Sequence, residues 1–257
     1  MSFIRTINWH QRLFHYSIEC DAIAIWKMIR ILRTKIRILL GREFNFKIQT
    51  KRKKQWFGNW YGGFYLTCGN LGNDSVIYSF GIGEDISFDE AVINKFGCTV
   101  FGFDPTPRSI DWLKNKKEIP ARLNYFEYGI DLVDGMVTFY PPENPDHVSC
   151  SVISKGRASE RSFSVPMKRF RTITRELGHS HIDVLKMDIE GGEYKVIPDI
   201  LSAGIHIDQI VIEFHHRFID DGMKRTGEIV NLLNNHGYKI FAVSDSGEEV
   251  SFISNGS

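Results

Sequence analysis

Residues 76–104 read V-I-Y-S-F-G-I-G-E-D-I-S-F-D-E-A-V-I-N-K-F-G-C-T-V-F-G-F-D, and this stretch decides the fold. It opens with an apolar run typical of a strand, turns at two glycines, and continues with apolar residues at helical spacing until a third glycine, which is a typical helix C-cap. A second strand-like run follows and ends at Asp104. The pattern predicts a βαβ unit with a glycine turn after its first strand and a carboxylate after its second.

The residues of this unit favour one class of ligand over another. Asp104 lies 23 positions after Gly81, about the spacing at which an acid meets the ribose of a bound nucleotide. A dinucleotide site has a further glycine where this chain has Ile86, and Glu84 and Asp85 would repel a pyrophosphate. They suit S-adenosylmethionine, which carries an ammonium and a sulfonium and no phosphate. An NAD-binding oxidoreductase, and a glycine turn that binds nothing, are the alternatives.

The rest of the chain alternates strand-like and helix-like runs. A buried strand over Val184–Met187 ends at Asp188, another covers Gln209–Phe214, and the last residues form a closing hairpin. This alternation predicts an α/β fold with a doubly wound, mostly parallel sheet. Residues 141–161 are polar and contain proline and serine, which predicts a loop or insertion over the site.

Composition narrows the class of protein. A chain of 257 residues is long enough for one large α/β domain with an accessory segment. Its four scattered cysteines contain no C-x-x-C pair, which excludes a disulfide framework or a zinc-finger pattern and favours a reducing compartment. The N-terminus does not read as a signal peptide and no uncharged apolar run is long enough to cross a membrane, so we expect a cytoplasmic protein.

Charge is distributed unevenly along the chain. Residues 1–56 hold 13 Lys and Arg against three acids, whereas the remainder is nine charges negative. We therefore predict a basic N-terminal helical arm over residues 1–56 and a catalytic domain over residues 57–257. Residues 23–40 show an amphipathic helical pattern, whose apolar stripe packs on the domain in one interpretation. In the other, residues 23–54 contact an anionic polymer or the inner face of a membrane. A nucleic-acid partner is not expected.

Four motifs resemble those of the FkbM-type methyltransferases. They are I-D-V-L-K-M-D-I-E-G-G-E-Y at 182–194, Y-S-F-G-I-G-E-D-I-S-F-D at 78–89, F-G-F-D-P at 101–105, and the Q-x-x-x-E-x-H strand at 209–215. The likeness covers roughly residues 58 to 255. It implies a Rossmann-like class I fold with a seven-stranded sheet that ends in an antiparallel hairpin. It also implies S-adenosylmethionine as cofactor and an oxygen nucleophile, on a carbohydrate or another natural-product hydroxyl.

Residues at the ends of the strands are the predicted cofactor ligands, because open α/β sheets bind ligands at that edge. Asp104 is expected to take the ribose hydroxyls, or to cap the next helix in the alternative interpretation. Gly129 and Ile130 are expected to flank the adenine, and Asp188 to face the methionine portion or the acceptor. The full predicted set is Phe80, Gly81, Ile82, Gly83, Asp104, Pro105, Gly129, Ile130 and Asp188.

Three residues are predicted to take part in catalysis: Asp188, Glu213 and His215. A hydroxyl becomes a good nucleophile when its proton leaves, and His215 is the predicted base, since imidazole titrates near working pH. The alternatives are a structural histidine, a site that works by alignment alone, and a magnesium ion held by His215 with its acidic neighbours. We expect a small-molecule or glycan acceptor. A non-catalytic module that docks through its basic arm is the last alternative.

Overall fold

The computed structural model describes residues 28–139 and 162–256. Its contacts divide the chain into two units, one ending at Glu43 and one beginning at Phe44. The loop predicted over residues 141–161 lies outside the described residues, as does the start of the helix predicted over residues 23–40.

Helices and strands alternate through the second unit. The strands are β1 (Gln55–Phe57), β2 (Phe64–Leu66), β3 (Val76–Phe80), β4 (Thr99–Phe103), β5 (Leu123–Phe126), β6 (Gly129–Ile130), β7 (Gly135–Phe139), β8 (Phe163–Lys168), β9 (His181–Met187), β10 (His206–Glu213), β11 (Tyr238–Val243) and β12 (Glu249–Ser254). The helices are α1 (28–39) in the first unit and then α2 (Ser87–Phe96), α3 (Pro107–Asn115), α4 (Phe170–Leu177), α5 (Glu193–Ser202) and α6 (Gly222–Asn235).

Seven of these strands form the central sheet, in the order β11-β12-β10-β9-β3-β4-β5. Strands from β10 across to β5 pair in parallel, whereas β12 runs antiparallel to both β10 and β11. The predicted seven-stranded, mostly parallel sheet with a closing antiparallel hairpin is thereby confirmed. The chain progresses from β3 outward to β5 and then returns to place β9 on the other side of β3. A crevice therefore opens at the carboxyl ends of β3 and β9, where ligands bind in such sheets.

The βαβ unit folds as its sequence predicts. Helix α2 buries Phe88, Val92 and Ile93, which recur on one face at helical spacing. Each fully buried apolar side chain contributes about 1.5–3 kcal/mol. The helix ends at Gly97, whose φ of 66° is left-handed and whose N–H donates to the carbonyl of Ile93 at 2.8 Å. This helix makes the crossover that brings β4 back beside β3 as its parallel neighbour.

A small second sheet supports one wall of the crevice. In it β8 pairs in parallel with β6 and antiparallel with β7. Strand β7 begins at Gly135 and pairs with β8, which follows it at a distance in the sequence. The main consequence is that β6 is held on β8, which buries Gly129 and Ile130.

Residues 44–50 pack with the second unit. The ring of Phe46 stacks on that of Phe214 with centroids 5.4 Å apart, and Gln49 exchanges backbone and side-chain hydrogen bonds with Ile240. The charge pattern of the sequence groups this segment with the basic arm, whereas its contacts group it with the second unit. The functional division into residues 1–56 and 57–257 stays a prediction.

Helix α1 belongs to the first unit and has an exposed apolar stripe. Five of its large apolar side chains are exposed, from 47% for Ile36 to 85% for Leu39; the others are Met28, Ile29 and Leu32. Arg37 pairs with the buried Glu43 at 3.1 Å, which ties the end of the helix to the following turn. Within residues 28–139 and 162–256, no helix has the length and apolar character needed to cross a membrane.

Candidate active site

A cavity of about 340 Å³ opens at the carboxyl ends of β3, β4, β9 and β10. We call it the strand-end cavity. The structure brings every predicted cofactor ligand to its wall, and Glu213 lines it as well. The predicted ligands on the wall are Phe80, Gly81, Ile82, Gly83, Asp104, Pro105, Gly129, Ile130 and Asp188. Parallel strands end at one edge, which gathers the residues after β3, β4 and β9, whereas Gly129 and Ile130 reach the wall from β6 of the second sheet.

The glycine turn, residues 81–85, has two glycines with left-handed backbones, and one of them also makes a close approach. Gly81 has a φ of +81°, and a Cβ on it would lie 1.7 Å from the carbonyl oxygen of Asp188. The end of β3 thus packs directly against the end of β9, which only a residue without a side chain permits. Gly83 has a φ of +57° with nothing within 4 Å of a Cβ position, so its backbone faces open space.

Asp104 holds the glycine turn in place. One carboxylate oxygen accepts the N–H groups of Ile82 at 3.1 Å and Gly83 at 2.9 Å. The other accepts the N–H of Thr106 at 2.8 Å and its hydroxyl at 2.6 Å. These four bonds match the acceptor capacity of a carboxylate. Asp104 therefore connects the end of β4 to both the glycine turn and the start of α3, and its ribose contact stays a prediction.

The two acids of the glycine turn are also held by neighbours. Asp85 accepts the N–H and hydroxyl of Ser87 and the side-chain amide of Asn59. Glu84 pairs with Arg108 at 2.9 Å. Their charge remains on the wall of the strand-end cavity, where it disfavours a pyrophosphate as the sequence indicated.

The acidic turn, residues 188–193, follows β9 and brings carboxylates to one histidine. Glu190 adopts a left-handed backbone with a φ of 52°, which is uncommon for a residue other than glycine and is typical of functional turns. Its carboxylate lies 3.3 Å from Nε2 of His215, and that of Asp188 lies 3.7 Å from the same nitrogen. The two acids that the motif places two positions apart thus converge on His215.

Glu193 anchors this arrangement from behind. It is fully buried in the first turn of α5 and accepts the N–H of Gly191 at 2.9 Å. Its other oxygen accepts the backbone N–H of His215 at 3.0 Å and lies 3.2 Å from Nδ1 of that ring. Glu193 therefore joins the acidic turn to the end of β10.

The charge state of His215 follows from these partners. Burial lowers its pKa, but the hydrogen bond and charge of Glu193 and the charges of Asp188 and Glu190 outweigh burial and raise the pKa to about 10. Both ring nitrogens face carboxylates, so the geometry favours an imidazolium at neutral pH. His215 is also not among the residues that line the strand-end cavity. The predicted role as a general base stays a prediction, and the geometry favours a positioning role.

Glu213 has a pKa far above that of an ordinary carboxylate. Burial and the nearby charge of Asp188 raise its pKa to about 9, although the charge of His215 opposes the shift. Its side chain is therefore neutral at pH 7 and can donate a hydrogen bond into the strand-end cavity. Two strand-end acids in one cavity thus have different environments, which is typical of catalytic sites.

Lys186 offsets part of the negative charge of the acids that line the strand-end cavity. Its buried ammonium donates to the carbonyl of Gly81 and lies 3.9 Å from the carboxylate of Asp188. It is the only Lys or Arg among the described residues that line the strand-end cavity. The lysine thus links the glycine turn to the acidic turn.

Sequence reasoning missed two contributors to this site, and for a third, Tyr61, it left open whether Trp56, Trp60 and Tyr61 pack over the ligand or in the core. Lys186 and Glu193 lie inside the K-M-D-I-E-G-G-E motif, so their proximity to Asp188 was a usable signal. Tyr61 reaches the wall from the aromatic segment before β2, and burial together with the charges of Glu213 and Asp188 raises its pKa. No pattern in the sequence predicted which aromatic residue of that segment would reach the cavity.

The residues present fit magnesium poorly. Asp188, Glu213 and His215 have ligand atoms within 4.8 Å of one another. However, the ring nitrogens of His215 face Glu190 and Glu193, and a protonated imidazole has no lone pair for a metal. Magnesium also prefers oxygen ligands in a regular octahedron. We therefore assign it no step.

Known proteins match this chain in part. It is 29% identical over 141 residues to the rat protein described as "Probable methyltransferase-like protein 24", and 28% identical over 141 residues to the human protein of that description. Each match covers 54% of this chain and 32% of the relative, so the matched region spans about a third of the relatives' length.

A solved structure of similar fold is the Methanococcus jannaschii fibrillarin pre-rRNA processing protein. It is 13% identical, with a TM-score of 0.44, and the match covers 75% of this chain and 71% of that one.

A family model described as "Methyltransferase FkbM domain" matches residues 75–240, which include β3, the glycine turn, the acidic turn and β10. The resemblance that the motifs indicated is confirmed, and the chain belongs to the methyltransferase FkbM domain family.

Proposed function

We propose that residues 57–257 form an S-adenosylmethionine-dependent methyltransferase that methylates a hydroxyl oxygen of a carbohydrate or natural-product acceptor. The observation that supports it most is the strand-end cavity, which lies at the switch point of the sheet and is walled by the glycine turn and the acidic turn. The family membership supports the methyl transfer, and the hydroxyl acceptor follows from the motif resemblance.

The charge of the wall suits this cofactor. Apart from the neutral Glu213, the acidic side chains are Glu84, Asp85, Asp104, Asp188 and Glu190, against the single ammonium of Lys186 among the described lining residues. A ligand with a sulfonium and an ammonium gains from this surplus, whereas the two phosphates of NAD would be repelled. The wall thus disfavours the oxidoreductase alternative.

When bound, S-adenosylmethionine supplies a methyl group already activated by its sulfonium. The chain's task is then to hold the acceptor oxygen in line with that methyl group. We assign the contact with the acceptor hydroxyl to Asp188, which lines the strand-end cavity and can accept a hydrogen bond or the proton. Glu213, neutral at pH 7, donates a hydrogen bond and does not compete for that proton.

His215 is proposed as a positioning residue. Its imidazolium lies between Glu193 on one side and Asp188 and Glu190 on the other. This holds the carboxylate of Asp188 at the wall and lowers the cost of gathering several acids in one place. The general-base alternative requires a neutral ring, which would occur only at alkaline pH.

A second pocket offers room for the acceptor. Its volume is about 470 Å³, and it shares Ile130, Glu190 and Gly192 with the strand-end cavity. Tyr194 and Arg225 also line it and can hydrogen-bond to hydroxyl groups. Its size and the polar side chains in its wall support a small-molecule or glycan acceptor.

Methyl transfer can be tested with labelled cofactor. The full chain is incubated with isotopically labelled S-adenosylmethionine and pools of glycans and hydroxylated natural products, and mass spectrometry detects and locates the methyl group. We expect an O-methyl product, reduced roughly 10²–10⁴-fold by Asp188→Asn. Methylation at nitrogen or carbon would contradict the oxygen acceptor, and wild-type rates from Asp188→Asn would contradict its assigned contact.

The contact of residues 23–54 with an anionic membrane is a separate proposal. The exposed apolar stripe of α1 and the run Lys51–Lys54 support it, since apolar area and positive charge together favour an anionic surface. Leu39→Asp should abolish sedimentation of the full chain with phosphatidylserine vesicles, whereas Ile119→Asp, at another exposed apolar position, should not. Equal binding by both variants would contradict the contact.

A further inference from the structure

Two histidines and an aspartate meet at the amino ends of β9 and β10. His181 and His206 are the first residues of these strands and are register partners in the parallel pair. Asp208 lies two residues after His206, and residues two apart on a strand share a face. Pairing and alternation therefore place all three side chains together, at the edge of the sheet opposite the strand-end cavity.

Their ligand atoms converge on one point. A single oxygen of Asp208 lies 3.2 Å from Nε2 of His181 and 3.0 Å from Nε2 of His206. The two rings stack with centroids 5.5 Å apart and an interplanar angle of 18°. All three ligand atoms lie within 4.8 Å of one another.

We propose that His181, His206 and Asp208 form a binding site for a divalent metal of the zinc class. In a tetrahedral zinc site with bonds of about 2.0–2.1 Å, neighbouring ligand atoms are about 3.3 Å apart, close to the separations from the shared oxygen. Two imidazoles and a carboxylate are typical zinc ligands. Nitrogen ligands disfavour magnesium and calcium, which prefer oxygen. The fourth position would be taken by water.

The same distances fit a site without metal, in which both imidazoles donate N–H groups to the shared oxygen. A metal ion from solution can reach these ligands, because the side chains of His181 and His206 are 46% and 56% exposed. The metal site and the hydrogen-bonded arrangement respond differently to added metal ions. Only the metal site orders its ligands around it and gains stability from it.

The site is remote from methyl transfer. Strand β9 has seven residues and rises about 3.3 Å per residue, so its two ends are on the order of 20 Å apart. A metal here would join the beginnings of two neighbouring strands and stabilise the folded state by mass action. It would leave cofactor binding at the other edge unchanged.

Cobalt and zinc titrations test the site in the full, metal-free chain. Cobalt should give a visible d–d absorption band that zinc abolishes by competition. Zinc at about 100 times its dissociation constant should raise the melting temperature by roughly 5–10 °C. His181→Ala, His206→Ala and Asp208→Asn should each lose the band and the shift. His236→Ala, which removes an exposed histidine at the end of α6, should keep both.

Two controls keep the result unambiguous. Each variant should bind S-adenosylhomocysteine as wild type does, which establishes that it is folded. Asp188→Asn should retain the cobalt band, because it alters the other carboxylate–histidine cluster. The absence of a band in wild type, or an equal band in His206→Ala, would overturn the metal site and leave the hydrogen-bonded arrangement.

Discussion

The two turns that wall the strand-end cavity use their carboxylates in different ways. In the glycine turn, Asp85 and the neighbouring Asp104 accept hydrogen bonds from backbone and hydroxyl groups that are close in sequence or on adjacent strands. In the acidic turn, Asp188 and Glu190 instead face one buried imidazole. Asp85 and Asp104 therefore fix the backbone geometry, whereas Asp188 and Glu190 stabilise the positive charge on His215.

A carboxylate at the end of a strand is therefore not by its position alone a cofactor-binding residue. Asp104 and Asp188 occupy equivalent places after β4 and β9, and both line the cavity. Asp104 has its acceptor positions filled by the chain, whereas among residues 28–139 and 162–256 the carboxylate of Asp188 makes longer contacts, to His215 and Lys186. Substitutions in the glycine turn should therefore affect stability most, and substitutions in the acidic turn should affect chemistry and pH dependence.

The largest effect is expected from Gly81→Ala. Its Cβ would overlap the carbonyl oxygen of Asp188 and strain a left-handed backbone, so the free energy of unfolding should fall by about 3–5 kcal/mol in urea denaturation. Gly178→Ala is the matched control, since Gly178 has a φ of +75° but nothing within 4 Å of a Cβ position, and should cost about 1 kcal/mol. Equal losses would show that the two strand ends do not need this close approach.

Asp104→Asn should have the next largest effect. The amide would turn donor groups toward the N–H groups of Ile82 and Gly83 or toward Thr106. Leaving such groups unsatisfied should cost about 2–3 kcal/mol, measured by urea denaturation. Asp188→Asn should change stability by about 1 kcal/mol or less. If the two variants lost equal stability, the contrast between the turns would be wrong.

The pH dependence of the free energy of unfolding should depend on His215 and Glu213, at the end of β10 beside the acidic turn. The pKa values of His215 and Glu213 are raised to about 10 and about 9, from about 6.5 and 4.3 in an unfolded chain. Between about pH 6.5 and 9 the folded state therefore binds more protons than the unfolded state. The free energy of unfolding should fall as pH rises, since the contribution of His215 is full below pH 6.5 and is lost as pH passes through about 10.

Urea denaturation at pH 6.5 and pH 9.5 measures that slope. Wild type should lose about 1 kcal/mol or more over this range, and His215→Gln should lose less. His236→Gln, at an exposed position, should behave as wild type. A slope that is unchanged in His215→Gln would place the titrating groups elsewhere in the chain.

The smallest effect is expected from Glu84→Gln. The pair of Glu84 with Arg108 is partly exposed, so its loss should change stability by at most about 0.5 kcal/mol. Cofactor affinity should fall only slightly, because the remaining acids keep the cavity negative. A large loss of affinity would mean that Glu84 contacts the ligand directly.

The sequence alone was sufficient to predict the central sheet and the residues at the ends of its strands. Helical spacing before Gly97 and apolar runs before Asp104 and Asp188 determine where strands end, and parallel strands then gather those ends. The motif placed Glu193 near Asp188, but its contact with His215 was not predictable, because an acid in the first turn of a helix is usually solvated and only the folded chain buries this one. The pairing of β7 with β8 was missed since a long segment separates the two strands.

The most direct test of the central claim is calorimetric titration of the full chain with S-adenosylhomocysteine and, separately, with NAD. The acidic wall predicts saturable binding of S-adenosylhomocysteine with one site per chain and no detectable heat with NAD. Asp188→Asn should bind within about tenfold of wild type, since its assigned contact is with the acceptor, a change of about 1.4 kcal/mol or less. Binding of NAD, or no binding of S-adenosylhomocysteine by the folded protein, would contradict the assignment of the strand-end cavity.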